Sequence, residues 1–294
     1  MQLARPQLSI KSQIDSGLWL VATPIGNLGD FSARGVKTLE SADLILAEDT
    51  RVTRKLMNLH GITGRVERCD EATTEHGTTR ALAVLEAGGA VAFCSDAGTP
   101  GVSDPGERLA RGVMDAGYPV RAVPGASAVL TALTISGLPS AQFMFAGFPP
   151  SKGGARTTFF ENLAAIKATL VFYETGPRLV ASMMSMLTVF GDRPACVARE
   201  LTKMFEETRR DRLSALVEHY SERGGPKGEI VVVIGGALEV ILDVSAAELD
   251  TRLRAALLTQ HVKEAANDVA RATGLPKRDV YARAVVISKS NLPK

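Results

Sequence analysis

The chain has 294 residues, enough for two domains and a small third. Apolar residues make up 45% and charged residues 22%, ordinary globular usage that excludes global disorder. Net charge is +2, but residues 245–294 carry nine Lys/Arg against five Asp/Glu, a basic tail on a near-neutral body that suits a polyanionic partner.

In chain order, residues 1–15 alternate apolar and polar types, do not read as a signal peptide, and are expected to form a flexible tail. The apolar run from Leu18 to Ala22 predicts a buried strand, and Phe31 to Leu39 a helix with Asp30 at its N-cap. A strand over 43–47 and a helix over 50–60 follow, the helix closed by Gly61. A helix over 77–86, a strand over 90–94, a helix over 107–116 and a strand over 120–123 complete the set. This alternation predicts an α/β domain over 16–137, a largely parallel sheet with helices on its faces.

A break at Gly137-Leu138-Pro139 opens a second α/β domain, 138–243. It begins with the apolar run 143–146. Its strongest strands are 169–173, 195–199 and 230–234, with helices over 178–189 and 213–220. The last of these strands holds the longest aliphatic run, Ile230 to Ile234, far short of a membrane span. Residues 246–294 read as a helical basic domain. Val262, Ala266, Val269 and Ala270 fit one helical face, and Val280, Ala284 and Ile287 another, with Gly274-Leu275-Pro276 between them. The pair resembles a helix-turn-helix, and a plain packing hairpin fits equally well. The three cysteines, Cys69, Cys94 and Cys196, are odd in number and form no CxxC, which favours a reducing compartment. The histidines lack metal-ligand spacing. A cytoplasmic protein without a metal is expected.

Four loops rich in Gly and Pro each follow a predicted strand: 23–28, 95–101, 124–128 and 149–154. Three lie at carboxyl ends of the first sheet, the edge where open α/β sheets bind ligands. Glycines there let the backbone approach a ligand, and helix-start N–H groups can hold its carboxylate or hydroxyls. One such loop is ordinary turn chemistry; three on one edge favour a small-molecule site. No GxGxxG follows the first strand and no GxxxxGK[ST] occurs, so neither a dinucleotide fold nor a P-loop is expected. Asp96 offers an acceptor for a cationic or amine-bearing ligand.

Charged clusters follow two other strands. Glu48-Asp49-Thr50-Arg51 combines two carboxylates with an arginine. Helix capping by Asp49 or Thr50 accounts for one of them, not all three. The stretch from Arg199 to Glu207 reads as a charged strand end facing a cleft, in preference to a solvated hairpin. Arg178, Lys152 and Arg156 fall on or near loops of the second domain, where solvated surface is the default.

The runs Val21 to Leu28, Ala47 to Arg51, Ser95 to Gly101 with Asp104-Pro105-Gly106, Gly147-Phe148-Pro149, Tyr173-Glu174 with Arg178, and Arg199 to Lys203 occur together and in order. Over about Leu18 to Ala237 they resemble the ribosomal RNA small subunit methyltransferase I family of the tetrapyrrole methylase superfamily. The basic tail resembles that family's C-terminal helical domain. The resemblance implies a two-domain α/β protein, commonly a homodimer, with S-adenosylmethionine in the cleft between its domains. It implies 2′-O-methylation of a cytidine in the decoding region of 16S ribosomal RNA, with that RNA or the 30S subunit as the partner. By position, Asp96, Ala97, Gly98, Thr99 and Gly101 would bind the cofactor together with Ser127 and Ala128. Pro24 and Gly26 would line the cleft, and Tyr173 and Leu201 would border the adenosine. The segments Glu48 to Arg51 and Arg199 to Lys203 would handle substrate. Pro177 stands where a histidine commonly precedes the arginine.

A ribose hydroxyl is a weak nucleophile, so a general base is expected, with Glu48, Asp49 and Glu200 as candidates and Lys203 or Arg51 holding a neighbouring phosphate. Arg51, Lys152, Arg156, Arg178, Lys203, Lys277 and Arg278 are the candidate RNA contacts. Competing readings are a methyltransferase for a tetrapyrrole or corrin-type small molecule, a non-catalytic RNA-binding assembly protein, and a nucleotide-dependent oxidoreductase. The missing dinucleotide fingerprint disfavours the last.

Overall fold

The computed structural model describes residues 14–237 and 245–290, so nearly all of the expected N-terminal tail lies outside the described residues. The chain divides into two compact units, Met1–Gly236 and Ala237–Lys294.

The first unit holds two five-stranded sheets. One consists of β1 (Gly17–Val21), β2 (Leu44–Ala47), β3 (Val66–Arg68), β4 (Ala90–Cys94) and β5 (Val120–Val123), in the order β3-β2-β4-β1-β5, all parallel. Alternate residues face opposite layers. Leu44, Leu46, Val91 and Phe93 pack with α3 (Thr74–Glu86) and α4 (Gly106–Asp115). Val21, Ile45, Ala92 and Cys94 pack with α1 (Ala33–Ser41) and α2 (Thr50–Leu59). Burial on both faces is why these strands read as continuous apolar runs. The chain leaves β1 toward β2 and leaves the adjacent β4 toward β5, in opposite directions along the sheet. β1 leads to α1 on one face and β4 to α4 on the other, so the connections of these adjacent strands part to opposite faces at the carboxyl edge.

Helix starts differ slightly from expectation. Ser32, not Asp30, caps α1: its Oγ accepts the Gly35 N–H at 3.0 Å, while Asp30 ends a 3-10 turn, Leu28–Asp30. Asp49 caps α2, accepting the Arg51 N–H at 2.8 Å.

The second sheet contains β6 (Phe143–Phe145), β7 (Thr169–Thr175), β8 (Pro194–Arg199), β9 (Glu207–Arg212) and β10 (Glu229–Ile234), in the order β6-β7-β10-β8-β9. Only the β6–β7 pair is parallel. Helices α6 (Gly153–Glu161), α7 (Gly176–Phe190) and α8 (Leu213–Arg223) cover one face around Phe160, Phe172, Met183 and Leu216. Helix α5 (Ala128–Ser136) covers the other, setting Val129, Ala132 and Leu133 against Val171, Cys196, Val231 and Val233. This helix precedes the break at Gly137, whose φ of +74° ends it, yet it packs under the second sheet. Its core also takes in Ile25 from the loop after β1.

Four elements were not anticipated: β3, β9, α5 and α6. β3 is three residues at a sheet edge. β9 is an edge strand of sequence ETRRDR, where charge suits an exposed rim. α6 begins at Gly153-Gly154, residues that signal a loop. Arg156 therefore lies on α6 rather than on a loop, and Arg178 lies in the first turn of α7, where the expected helix over 178–189 began.

The second unit is a three-helix cluster of α9 (Ala246–Leu257), α10 (Val262–Thr273) and α11 (Lys277–Ser290). Leu253, Ala266, Val269, Val280, Ala284 and Ile287 form its core. Gly274, at φ +72°, caps α10 in the left-handed conformation that glycine adopts without strain. Arg283 pairs with Asp250 at 2.6 Å and ties α11 to α9. Lys277 and Arg278 are exposed at the start of α11. No helix among the described residues is long and apolar enough to cross a membrane.

Candidate active site

The loops after β1, β4 and β5 are stitched to one another at the carboxyl edge of the first sheet. Thr23 N–H donates to Gly98 O at 2.9 Å and Gly98 N–H returns a bond to Thr23 O at 3.1 Å. Thr99 Oγ1 donates to Ala126 O at 3.0 Å. Gly98 and Gly101 sit at φ +80° and +87°, so glycine is required for the turn itself. Asp104 holds the rest of the loop, its carboxylate accepting the N–H groups of Gly101, Val102 and Gly106.

These loops wall a cavity of about 390 Å³. Ile25, Ala128, Leu201, Ile230 and Val231 give it apolar sides; Asp96, Glu48 and Thr99 give it polar ones. Asp96, Ala97, Gly98, Thr99, Ser127, Ala128, Tyr173 and Leu201, all singled out in the sequence, line it together. Gly101 does not line it and acts on the shape of the loop. Pro24 and Gly26 line an adjacent cavity of about 330 Å³ instead, with Lys55, Lys203 and Glu229. Val102, Ser103, Phe148 and Gly228 to Val231 also line the main cavity and were missed. A lone glycine before an apolar strand was the available signal for Gly228, which sits at φ +106°.

A third, charged cleft of about 530 Å³ is lined by Glu48, Asp49, Thr50, Arg51, Arg68, Asp70 and Asp96. Glu48 and Asp96 thus belong to both the main cavity and this cleft. Asp96 N–H donates to Glu48 Oε2 at 3.2 Å, and Asp49 N–H donates to Asp96 Oδ1 at 2.9 Å. Burial pushes the Glu48 carboxyl up from its ordinary value, against the Asp96 N–H and with help from the negative charges of Asp96, Asp104 and Asp70. Burial raises Asp96 likewise, with Asp49 adding repulsion. Asp49 is the opposite case: bonds from Arg51 bring it down to about 2. Arg51 itself is 84% exposed, so Asp49 holds it at the rim of the cleft.

Glu200 is also engaged. Its Oε1 accepts the Glu229 N–H at 2.9 Å and lies 3.0 Å from Lys203 Nζ, and these bonds hold its carboxyl below the usual range. Lys203 reaches Glu229 as well, at 3.2 Å, and the two carboxylates raise its ammonium in spite of burial. Gly26 passes so close that a Cβ there would stand 2.4 Å from Lys203 Cγ. Arg178 bridges the buried Glu174, 3.2 Å away, and the Pro149 carbonyl. It ties the loop carrying Pro149 to the end of β7. Arg156 donates to Ser185 Oγ at 3.1 Å, and neither it nor Lys152 lines any of the three cavities. No group of three or more His, Cys, Asp or Glu suited to a metal occurs among the described residues.

Residues 17–217 match the family described as Tetrapyrrole (Corrin/Porphyrin) Methylases, and residues 243–288 match the RsmI C-terminal HTH domain. The fold agrees. It superposes on the uroporphyrin-III C-methyltransferase of Thermus thermophilus complexed with S-adenosylhomocysteine, with a TM-score of 0.52 at 19% identity over 74% of this chain and 97% of that one. Fold and site therefore define a methylase of the tetrapyrrole class. Two relatives narrow the class, both ribosomal RNA small subunit methyltransferase I proteins. That of Mesorhizobium japonicum is 45% identical over 271 residues, 92% of each chain. That of Erythrobacter litoralis is 46% identical over 272 residues, 92% of this chain and 95% of its own. The chain belongs to the ribosomal RNA small subunit methyltransferase I family.

Proposed function

We propose that this protein transfers a methyl group from S-adenosylmethionine to 16S ribosomal RNA of the small subunit, at the 2′-oxygen of a cytidine ribose in the decoding region. The observation that carries the reading is the wall shared by the two cavities. Glu48 and Asp96 stand where a mainly apolar chamber meets a charged cleft that also holds Arg51 and Arg68. The relatives' names supply the substrate class.

The residues present fit the cofactor. The main cavity, about 390 Å³, falls in the range of small-molecule sites. Its apolar sides suit an adenosine, with Tyr173 and Leu201 on the second-sheet wall, and the Asp96 carboxylate suits a cationic centre. When bound there, S-adenosylmethionine supplies a methyl group on a sulfonium cation. Its chemistry there would be transfer of that methyl to the ribose 2′-oxygen, with the sulfur as leaving group and the hydroxyl proton passing to a base. Glu48 takes that proton, because it lines both chambers and carries no ion pair among the described residues. Lys203 and Arg51 border the route of the RNA and neutralise phosphate. Positioning by the fixed loops supplies most of the acceleration, since little charge is left to stabilise. Lys277 and Arg278 add sequence-independent phosphate contacts from α11. A cytoplasmic homodimer belongs to the same reading and rests on the family resemblance.

The test is methyl transfer from labelled cofactor to undermethylated 30S subunits beside naked 16S RNA. Label in one alkali-resistant ribose linkage is expected. Cofactor binding without label in either RNA would overturn the reading in favour of a small tetrapyrrole-like acceptor. The Lys277→Ala/Arg278→Ala double variant is expected to flatten the salt dependence of RNA binding, lowering its logarithmic slope by about 1–2. An unchanged slope removes α11 from the RNA site.

A further inference from the structure

The loop joining β8 to β9 carries two adjacent large apolar side chains in the open: Met204 is 90% exposed and Phe205 66%. The β8 end from which it springs is the edge that lines the main cavity. Ala198, Leu201, Gly228, Glu229 and Tyr173 all belong to that lining. Lys203, one residue before Met204, lines the adjacent cavity with Gly26 and Lys55. The apolar pair follows directly on that lining residue and itself lines none of the three cavities.

The loop is held stiffly for so exposed a segment. Glu200 and Thr202 sit at φ +47° and +65°, a left-handed backbone that residues with a Cβ rarely adopt. Local bonds over-determine it. Thr202 N–H donates to Glu206 Oε2 at 2.6 Å, Lys203 N–H to Glu200 O at 2.9 Å, and Arg199 to the Phe205 carbonyl at 3.1 Å. The Asn27 N–H, from the loop after β1, donates to Thr202 Oγ1 at 3.0 Å and moors the loop to the opposite wall. Strain kept in place by this many bonds marks a surface whose shape matters. A pre-ordered aromatic surface also loses less freedom when a partner lands on it.

We propose that Met204 and Phe205 form a stacking platform for an unpaired base of the RNA substrate, next to the nucleotide being methylated. The inference rests on the rRNA reading above. A ribose cannot enter the site from within a regular helix, so its neighbours must be splayed out. Unpaired bases are held on exposed aromatic faces, with cations taking the phosphates. Lys55 lines the adjacent cavity, and Arg51 and Arg68, each already paired to an aspartate but more than half exposed, line the charged cleft; these are the cations for the phosphates.

The experiment compares wild type, Phe205→Ala and Phe205→Trp in full-length protein. It measures KM for the RNA substrate, cofactor affinity by calorimetry and oligomeric state by light scattering. Phe205→Ala is expected to raise the RNA KM roughly 10-fold, with cofactor affinity and oligomeric state retained. Phe205→Trp, which keeps a stacking face, is expected to restore it. An unchanged KM in the alanine variant overturns the platform. A change of oligomeric state overturns it too, by assigning the pair to contact with a second copy. If wild type binds cofactor and methylates no RNA, the rRNA reading itself falls, and the platform with it.

Discussion

Glu48 and Glu200 each follow a strand and each belong to a charged run, but Glu48 lines both the main cavity and the charged cleft, whereas Glu200 lines none of the three cavities. Their surroundings differ. Glu48 is raised by burial and receives only a backbone N–H, whereas Glu200 is bonded by the Glu229 N–H and by Lys203. A carboxylate already committed to a cation and an amide is a fastener. One that is desolvated and unpaired is a proton acceptor of raised basicity. Asp49, paired to Arg51, falls on the fastener side.

The largest effect that can break this comparison is on turnover. Glu48→Gln is expected to lower kcat by about 10²–10⁴-fold with cofactor affinity intact, since amide cannot accept the proton. Titration calorimetry and single-turnover transfer check both halves. Next comes stability. Glu200→Ala removes the acceptor for the Glu229 N–H and for Lys203, and is expected to cost about 1–3 kcal/mol in urea unfolding. A kcat loss as large as that of Glu48→Gln, in a fully folded Glu200→Ala protein, would erase the distinction.

A third expectation concerns pH. The Glu48 carboxyl is raised, so its base form is lost as pH falls through a value above that of an ordinary glutamate. The acid limb of kcat/KM should lie correspondingly high. Stability runs the other way for this group, because the folded state binds the proton more tightly than the unfolded chain, so acid does not unfold the protein through Glu48. Asp49 contributes stability above its unfolded value, lost as pH falls toward about 2. The smallest effect is expected for Asp49→Asn. It keeps a good capping residue and should leave the urea midpoint nearly unchanged, measured by the same titration.

Much of the fold was legible because the first sheet is buried on both faces: Leu44 to Ala47 and Ala90 to Cys94 declare themselves as unbroken apolar runs. The second sheet was legible in its central strands and in the apolar edge strand β6. β9 hides as a charged edge, and α5, a mostly apolar segment carrying Val129, Thr131, Thr134 and Ile135, lacks the polar face that would mark it as a helix. Its place under the second sheet depends on contacts far away in sequence. The cofactor-type loops were legible from their glycines. The partners of charged residues were not. Nothing local shows that Arg178 turns inward to Glu174 and the Pro149 carbonyl, or that Glu200 reaches across to residue 229. Such choices belong to tertiary packing, which also decides which carboxylate stays unpaired.

The most direct test of the account is the Glu48→Gln protein in a single-turnover transfer from labelled S-adenosylmethionine to undermethylated 30S subunits, with cofactor binding measured on the same sample. The account predicts normal cofactor binding and a loss of at least roughly 10²-fold in the rate at which a 2′-O-methyl ribose appears. Transfer at the wild-type rate would contradict it and remove Glu48 from the chemistry.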